Sequence, residues 1–503
     1  MAYIFAFIVV VAVCYFYKKG GKIIFIAFVF LILTLHILSI ISGHSWGDDF
    51  IVYLAQAKSL LHGGINNVIA KQQLIQQLSK TKTGPVLYPW GYPVFLAALN
   101  KLFGDNYFAY KMLNVFAICL TGFVITLIPE TGKRKHLFIL FLLIALNPFL
   151  FDYKNEINAD ILLMLFTTLS MLFMKNITAD TNKQFTLLQA ILAGLTFFLC
   201  TFIKAAGAIV ILVFIVCVVL SFITNKQKRN SFSISSFLNT GCLLVVYMGA
   251  LFITNKMLPN FIFDYINYYN FQSILKAAAY NFTFYVFLIK NFVYNSNDVL
   301  YFTSILISSF LFILGLALNF RKYFYLNLFS LLFLFILIIT PYSGGVRYLL
   351  PLLPGFFLYI FLGAEYLYEH TIRSLFFIGV TTTLLLIFCF CVNDFKYSGK
   401  KNKSDKISNG AFSPKAKQFY SFLQNNIATA DTLIFFKPRF LSFYLNRIAA
   451  SYYDTIPISS STFKYLTIYR DLNSNKKELE IILPDHEKRK VFDNGDFQIY
   501  YLK

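Results

Sequence analysis

Two adjacent carboxylates, Asp48 and Asp49, follow about twenty apolar residues (Ile23–Ile41) and open a segment with helical periodicity. That order predicts a helix N-terminus just outside a bilayer, where free N–H groups and the helix dipole favour an ionised carboxylate. Asp49, Tyr53 and Ala57 recur every four residues and would share one helix face. A carboxylate in that position can accept a proton or hold a metal ion; the plainer alternative is an interfacial helix cap. The same loop carries both tryptophans, Trp46 and Trp90, and the run Tyr88-Pro-Trp-Gly-Tyr-Pro93. The prolines fix a rigid, non-helical backbone there, and the rings are either sugar-stacking platforms or part of an interfacial aromatic belt.

Three further groups have chemical potential. Asp152-Tyr-Lys-Asn-Glu-Ile-Asn-Ala-Asp160 is an acidic turn in which Glu156 and Asp160 lie four apart, so they share a face if the turn is helical. It would be a solvated hairpin, or a second acidic cluster able to share a divalent cation or position an acceptor. Lys204 interrupts an apolar run and either snorkels to the interface or serves an anion. Arg347, in Gly344-Gly-Val-Arg-Tyr-Leu-Leu-Pro351, sits outside a span beside two glycines; it is an interfacial anchor or a bidentate phosphate ligand. Motifs of soluble enzymes are absent: no HExxH, GxSxG, Walker A, CxxC or strand-linked GxGxxG. Carboxylates, cations and an aromatic loop together suit a reaction in which a neutral nucleophile loses a proton while an anionic group leaves a membrane-held donor. A lipid-phosphate-linked sugar is such a donor.

The elements that must position these residues are membrane helices. The chain has 503 residues, 58% hydrophobic and only 13% charged, with a mean hydropathy of +0.65, far outside the soluble range. Its net charge of +21 is scattered in short clusters between apolar runs, which argues against nucleic acid as a partner. The seven cysteines lie in or beside apolar runs without metal-ligand or disulfide spacing and read as small core residues. Twelve stretches approach spanning length: 2–17, 23–42, 107–129, 137–151, 160–174, 186–203, 206–224, 236–254, 299–319, 324–340, 348–367 and 373–393. Basic clusters fall on alternate loops and assign those loops to the cytoplasm. The first loop (43–106), the acidic turn, an aromatic loop at 255–298, the turn before Arg347 and everything after 393 are then extracytoplasmic.

The expected organisation is a transmembrane domain at 1–393, a polar linker at 394–412 and a small extracytoplasmic α/β domain at 413–503. In the last, Ser413–Asn425 and Pro438–Leu445 read as helices, and Thr432–Phe436, Ile448–Tyr453, Ile481–Leu483 and Phe497–Tyr501 as strands, the final one after an Asn494-Gly495 turn.

Taken in order, Gly47-Asp-Asp-Phe-Ile-Val-Tyr53, Tyr88-Pro-Trp-Gly-Tyr-Pro93, Asn155-Glu-Ile-Asn-Ala-Asp160, Arg347-Tyr-Leu-Leu-Pro-Leu-Leu-Pro354 and Phe435-Phe-Lys-Pro-Arg-Phe-Leu-Ser-Phe-Tyr-Leu-Asn-Arg447 resemble the GT-C superfamily of polyprenyl-phosphate-dependent glycosyltransferases. The likeness is to its bacterial aminoarabinose and protein-mannosyl transferase-like branch. The resemblance implies a GT-C-like polytopic α-helical fold of about twelve spans, sited in the cell membrane, with an extracytoplasmic active site. It implies Asp49 as the catalytic residue, by the spacing of an acid four before Tyr53, with Asp48 as close competitor. Glu156 or Asp160 would fill a second acidic position, and Arg347, joined by Lys204, would bind the donor phosphate. Tyr53, Tyr88, Trp90 and Tyr92 form the aromatic loop, in which Trp90 stands where relatives commonly have a second proline. Any divalent metal would fall to Asp48, Asp49 and Glu156. The implied reaction is inverting transfer of a sugar from polyprenyl phosphate to a glycan, lipid or protein acceptor. The rival classes are a transporter or lipid-linked-glycan flippase, for which paired repeats would be expected and none is seen, and a structural membrane protein, which needs no acids gathered on one side.

Overall fold

The structure is a computed structural model that describes residues 22–79, 84–130, 134–178, 186–224, 234–259, 271–288, 292, 299–340, 344–370, 385–396, 410–451, 463–469 and 488–502. The chain divides into two compact units, one formed by 1–40, 111–155 and 159–402, the other by 41–110, 156–158 and 403–503.

The first unit is helical throughout its described residues. Among the described residues, four helices are long and apolar enough to cross a membrane: Tyr107–Ile125, Asp160–Ile177, Leu238–Met257 and Val346–Glu369. Shorter apolar helices include Leu187–Ile203, Ile305–Asn319 and Phe324–Ile339. Along Ile234–Met257 the side chains of Leu238, Val245, Met248, Phe252 and Met257 are more than 60% exposed. An outward apolar surface of this kind is costly in water and ordinary in lipid. Small residues let helix backbones meet. A Cβ at Gly315 would collide with the Tyr359 carbonyl, and one at Gly363 with the Leu311 carbonyl, so Val299–Asn319 and Leu353–His370 pack at backbone distance.

The expected spans are modified in identifiable places. The stretch 2–17 lies outside the described residues, and 373–393 is described from residue 385 as a helix over 385–396. The span at 137–151 is two helices, Arg134–Ala145 and Pro148–Tyr153. Between them Asn147 caps the second, its Oδ1 accepting from the N–H groups of Phe149 and Leu150, while Pro148 lacks the N–H that a continuous helix would use. The region 255–298 is not wholly a loop: Phe271–Leu288 is a helix. Asn281 on it donates to the Thr340 carbonyl at 2.6 Å and ties it to the end of Phe324–Ile339.

In the second unit the first loop folds as three helices, Asp48–His62, Ile65–Ser79 and Gly91–Phe103. Residues after 410 supply the helices Pro414–Asn426 and Pro438–Leu445 and a five-stranded sheet. Its strands are β1 (Leu433–Ile434), β2 (Ala449–Ala450), β3 (Tyr465–Tyr469), β4 (Lys488–Asp493) and β5 (Phe497–Leu502), in the order β2-β1-β3-β5-β4. β1 is parallel to β2 and β3, and the remaining pairs are antiparallel. Ser413 caps Pro414–Asn426 by accepting from the Ala416 N–H, and Pro414 fills the first turn. Pro438–Leu445 ends as expected, on Asn446 in the left-handed region at φ 54°. The core gathers Phe419, Leu423, Leu433, Phe435, Phe497 and Ile499. Trp46 is part of that core rather than a platform. Its ring lies 5.0 Å from those of Phe436 and Phe440 and 5.9 Å from that of Phe497. The segment expected as a strand at 481–483 lies outside the described residues.

Candidate functional site

The acidic helix begins at Asp48 after Gly47, whose extended backbone (φ −76°, ψ 131°) sets the entry and offers no side-chain cap. Both aspartates therefore stand in the first turn, where orphan N–H groups point. Behind them Phe50, Ile51, Val52, Tyr53, Leu54 and Ala57 are buried, which locks the helix in place.

The two carboxylates have different surroundings. Asp49 Oδ1 accepts from the Tyr88 hydroxyl at 2.6 Å. Tyr88 is itself fixed through its backbone: Gln56 Nε2 donates to its carbonyl at 2.9 Å, and its N–H donates to Gln56 Oε1 at 3.0 Å. About two turns of helix below Asp49, a single amide thus sets where the tyrosine hydroxyl points. Asp48 Oδ2 lies 3.6 Å from Lys437 Nζ, while its Oδ1 is buried without a hydrogen-bond partner. Burial pushes the Asp48 carboxyl above its ordinary range; Lys437 and Arg439 pull it back, and Asp49 adds to the rise.

Arg439 is the unusual member of this group, a guanidinium with no exposed surface. Its Nη2 donates to the Pro85 carbonyl at 2.8 Å, and Nε and Nη1 have no partner. Gly84 adopts φ +87°, a conformation suited to glycine, and a Cβ there would stand 3.3 Å from Arg439 Nη1 and 3.6 Å from the Tyr88 hydroxyl. The cation therefore props the strand of loop that delivers Tyr88 to Asp49.

On the other side of the acidic pair, Ser45 Oγ donates to both Glu156 oxygens at 3.0 and 3.1 Å. His44 Nε2 accepts from the Ile157 N–H at 2.9 Å and lies 3.4 Å from Glu156 Oε2, and its Nδ1 meets the Ser45 carbonyl at 3.0 Å. Accepting at Nε2 leaves Nδ1 to carry the proton, so this is the neutral Nδ1–H tautomer by its hydrogen bonds.

The aromatic loop does not present four open ring faces. Tyr53, Trp90 and Tyr92 are 3% exposed or less. Tyr53 packs against Tyr88 at 4.6 Å and edge-on to Tyr92 at 5.1 Å between ring centres. As stacking platforms these three are corrected to buried supports of the acidic helix, because the loop folds back on that helix; Tyr88 alone of the four is partly exposed.

In the first unit Asp160, 1% exposed, opens its own helix and is ion-paired with Lys204; the Tyr153 hydroxyl lies 3.4 Å from its Oδ2. Lys204 lies between two helices rather than within one. It breaks the run in an extended conformation (φ −154°, ψ 134°) between Leu187–Ile203 and a short 3-10 turn. Its ammonium sits over the Tyr348 ring, 3.9 Å from the centroid, and the Arg347 guanidinium is 5.1 Å from the same centroid. The two cations named from the sequence thus meet on one ring. Arg347 Nε donates to the Gly344 carbonyl at 3.2 Å, and the Gly344 N–H donates to the Tyr285 hydroxyl at 3.1 Å. A Cβ at Gly344 would collide with the Tyr348 ring, so glycine is required for the ring to lie there.

Glu156 and Asp160 do not share a helical face. Residues 154–159 are turn and loop, because Asp160 is the first residue of its helix, and the two acids have separate partners. Nor do Asp48, Asp49 and Glu156 form a metal-ligand set: among the described residues no three His, Cys, Asp or Glu side chains converge in that way. Sequence reasoning gave no role to Gln56, Lys437, Arg439 or Tyr348. The available signal was Lys437-Pro-Arg439 inside an apolar run, where buried cations call for counter-charge.

The family model for dolichyl-phosphate-mannose-protein mannosyltransferase matches residues 84–275, less than half of the chain. That range includes Tyr88, Asp160 and Lys204 and stops short of the acidic pair and Arg347. No curated protein matches the chain in sequence. Among solved structures, ArnT from Cupriavidus metallidurans in the apo state is similar at a TM-score of 0.55 and 12% identity, over 96% of this chain and 98% of that one. The same protein bound to undecaprenyl phosphate gives 0.56 and 11% over the same shares. The oligosaccharyltransferase of Archaeoglobus fulgidus, in a complex with zinc and sulfate, gives 0.50 and 10% over 94% of this chain and 72% of that one. The chain therefore shares the fold of these solved structures.

Proposed function

We propose that the protein is an integral-membrane glycosyltransferase that moves a sugar from a polyprenyl-phosphate donor to an extracytoplasmic acceptor with inversion at the anomeric carbon. The observation that carries this reading is the Asp49 carboxylate, held at the opening of its helix by the Tyr88 hydroxyl at 2.6 Å. Support comes from the fold shared with an undecaprenyl-phosphate-bound structure and from the mannosyltransferase family match.

In the proposed reaction the acceptor hydroxyl hydrogen-bonds to Asp49 and its oxygen attacks the anomeric carbon. The bond from that carbon to the phosphate oxygen breaks on the opposite face, and the hydroxyl proton passes to Asp49. A carboxylate is a weak base for an alcohol, but it suffices when the transition state is oxocarbenium-like and the proton moves late. Asp48, with its Oδ1 buried and its Oδ2 near Lys437, is a poorer candidate for the same task because desolvation favours its protonated form. Lys204 and Arg347, gathered at Tyr348, would stabilise the charge on the departing phosphate. Asp160 holds Lys204 ready and yields part of that contact to the phosphate. Glu156, with Ser45 and His44, would face the acceptor. The positive-inside distribution of lysine and arginine supports an extracytoplasmic position for the acidic pair.

The test is transfer of labelled sugar from a polyprenyl-phosphate donor by membranes containing the protein, with the anomeric configuration of the product read by NMR. The reading requires donor-dependent transfer with inversion. Vectorial movement of an intact lipid-linked glycan without cleavage of its phosphate bond would favour the flippase alternative and contradict it.

A further inference from the structure

A cavity lies in the second unit, at the far end of the acidic helix from Asp48. Its volume is about 230 Å³, and it is bounded by the last turns of Asp48–His62, the first turns of Ile65–Ser79 and Ser442 and Phe443 of Pro438–Leu445. Gly63 and Gly64 link the first two helices at φ +77° and +92°, and nothing stands within 4 Å of where either would place a Cβ. This open floor is not filled by any side chain among the described residues.

The lining dictates what would fit. Lys58 and Lys71 contribute ammonium groups, the first 4.9 Å from the centre of the Phe443 ring, and among the described residues no acidic side chain lines the cavity. Each lysine has one neighbour outside the cavity, Asp105 at 2.5 Å and Asn446 Oδ1 at 2.6 Å, so each is held in position with donors to spare. Gln72 is 3% exposed, and its Oε1 is buried without a hydrogen-bond partner among the described residues. A lone acceptor of this kind is satisfied by a hydroxyl or amide donor from a ligand. Asn67 and Ser59 extend the polar wall. Cations ask for negative charge, and the orphan amide oxygen asks for a hydroxyl. A sugar ring bearing a carboxylate or phosphate supplies both. The volume is below the range of about 300–1,000 Å³ for drug-sized ligands and suits a single ring.

We propose that this groove binds an anionic sugar residue of the acceptor glycan, at a distance from the hydroxyl that reacts. The inference rests on the glycosyl-transfer reading. Asp49 and Ser59 stand ten residues apart on one helix, about 15 Å along its axis, so a ligand that reaches both is an oligosaccharide rather than a monosaccharide. The specificity of the enzyme for an acidic acceptor would then reside here and its chemistry at the helix N-terminus.

The experiment uses the full-length protein in neutral-lipid nanodiscs and ligand-observed NMR with four probes: glucuronate, glucose 6-phosphate, glucose and inorganic phosphate. Saturable binding is expected for one of the two anionic sugars, about tenfold or more tighter than for glucose and for inorganic phosphate, the margin of a charge-assisted hydrogen bond. Lys71→Ala, and Asn67→Trp at an exposed position on the groove wall, should each weaken it about tenfold or more, while Asp49→Asn should leave it unchanged. Absence of binding at concentrations on the order of 10 mM, or binding untouched by both groove variants, would overturn the proposal. Inorganic phosphate binding as tightly as either sugar would make this a free-phosphate site and overturn it too. Transfer activity without groove binding would sink this inference alone; groove binding in a chain that transfers no sugar would sink the glycosyl-transfer reading instead.

Discussion

Replacing Tyr88 with phenylalanine isolates the contact on which the proposed base depends. The substitution removes one oxygen, the donor to Asp49 Oδ1 at 2.6 Å, and leaves the ring against Tyr53 and the backbone in the grip of Gln56. A hydrogen bond from a hydroxyl to a carboxylate contributes about 1.5–3 kcal/mol. If that energy serves to hold the carboxylate toward the acceptor in the transition state, its loss slows turnover by roughly 10- to 150-fold at about 1.4 kcal/mol per decade. The assay is donor-dependent sugar transfer by protein in nanodiscs, at saturating donor, with thermal unfolding followed in parallel to show that the fold is retained. Gln56→Leu should produce a loss in the same direction, since it frees the Tyr88 backbone without touching the hydroxyl. Turnover within about twofold of wild type for Tyr88→Phe would refute the claim that this bond orients a catalytic group.

Arg439→Met should destabilise the second unit by about 3–5 kcal/mol, because it strips the buried Asp48 of one of its two cations and leaves the Pro85 carbonyl unpaired; chemical unfolding monitored by Trp46 fluorescence checks this, and an unchanged midpoint would contradict it. Asp48→Asn should raise thermal stability near pH 7.5 more than near pH 4. The reasoning is one of sign. The folded state raises the Asp48 pKa, so Asp48 favours folding below its ordinary range and loses that contribution as pH climbs through the raised value. An equal shift of Tm at both pH values would count against it. Gly344→Ala should displace the Tyr348 ring and with it the shared seat of Lys204 and Arg347. With cation–π contacts worth about 0.5–2 kcal/mol each, donor KM should rise several-fold or more, and an unaltered KM would show that the ring does not organise the cations.

Much of the local structure was legible because it is written in short-range physics. The helix start at Asp48, the Ser413-Pro cap, the Pro438–Leu445 helix and the turn at Asn494-Gly495 each depend on a few neighbouring residues. The break at Lys204 was legible for the same reason, as a charge inside an apolar run. What stayed hidden depends on distant partners. Arg439 meets Pro85 across 354 residues of chain, and nothing near either residue announces the other. Gln56 looks like any helix-surface amide until Tyr88 is folded onto it. Strand β4 begins Lys-Arg-Lys and belongs to the sheet edge, where cations are tolerated and apolar alternation is weak. The helix Phe271–Leu288 was concealed by its Asn, Gln and Tyr residues, one of which, Asn281, turns out to be an anchor to a neighbouring helix end. The aromatic loop misled in a different way. Ring content is a poor guide to ring exposure, and Trp46, Trp90 and Tyr92 were spent on packing.

The division of labour between the two aspartates is the centre of the account, and a single-turnover comparison addresses it directly. Wild type, Asp49→Asn and Asp48→Asn, each in excess over the labelled donor, are mixed with acceptor-containing membranes, and the rate of the chemical step is measured. The account predicts that Asp49→Asn slows that step by about 100-fold or more, in the range for loss of a general base, and that Asp48→Asn retains a rate closer to wild type. Wild-type rates for Asp49→Asn, or the reverse order of the two variants, would contradict it.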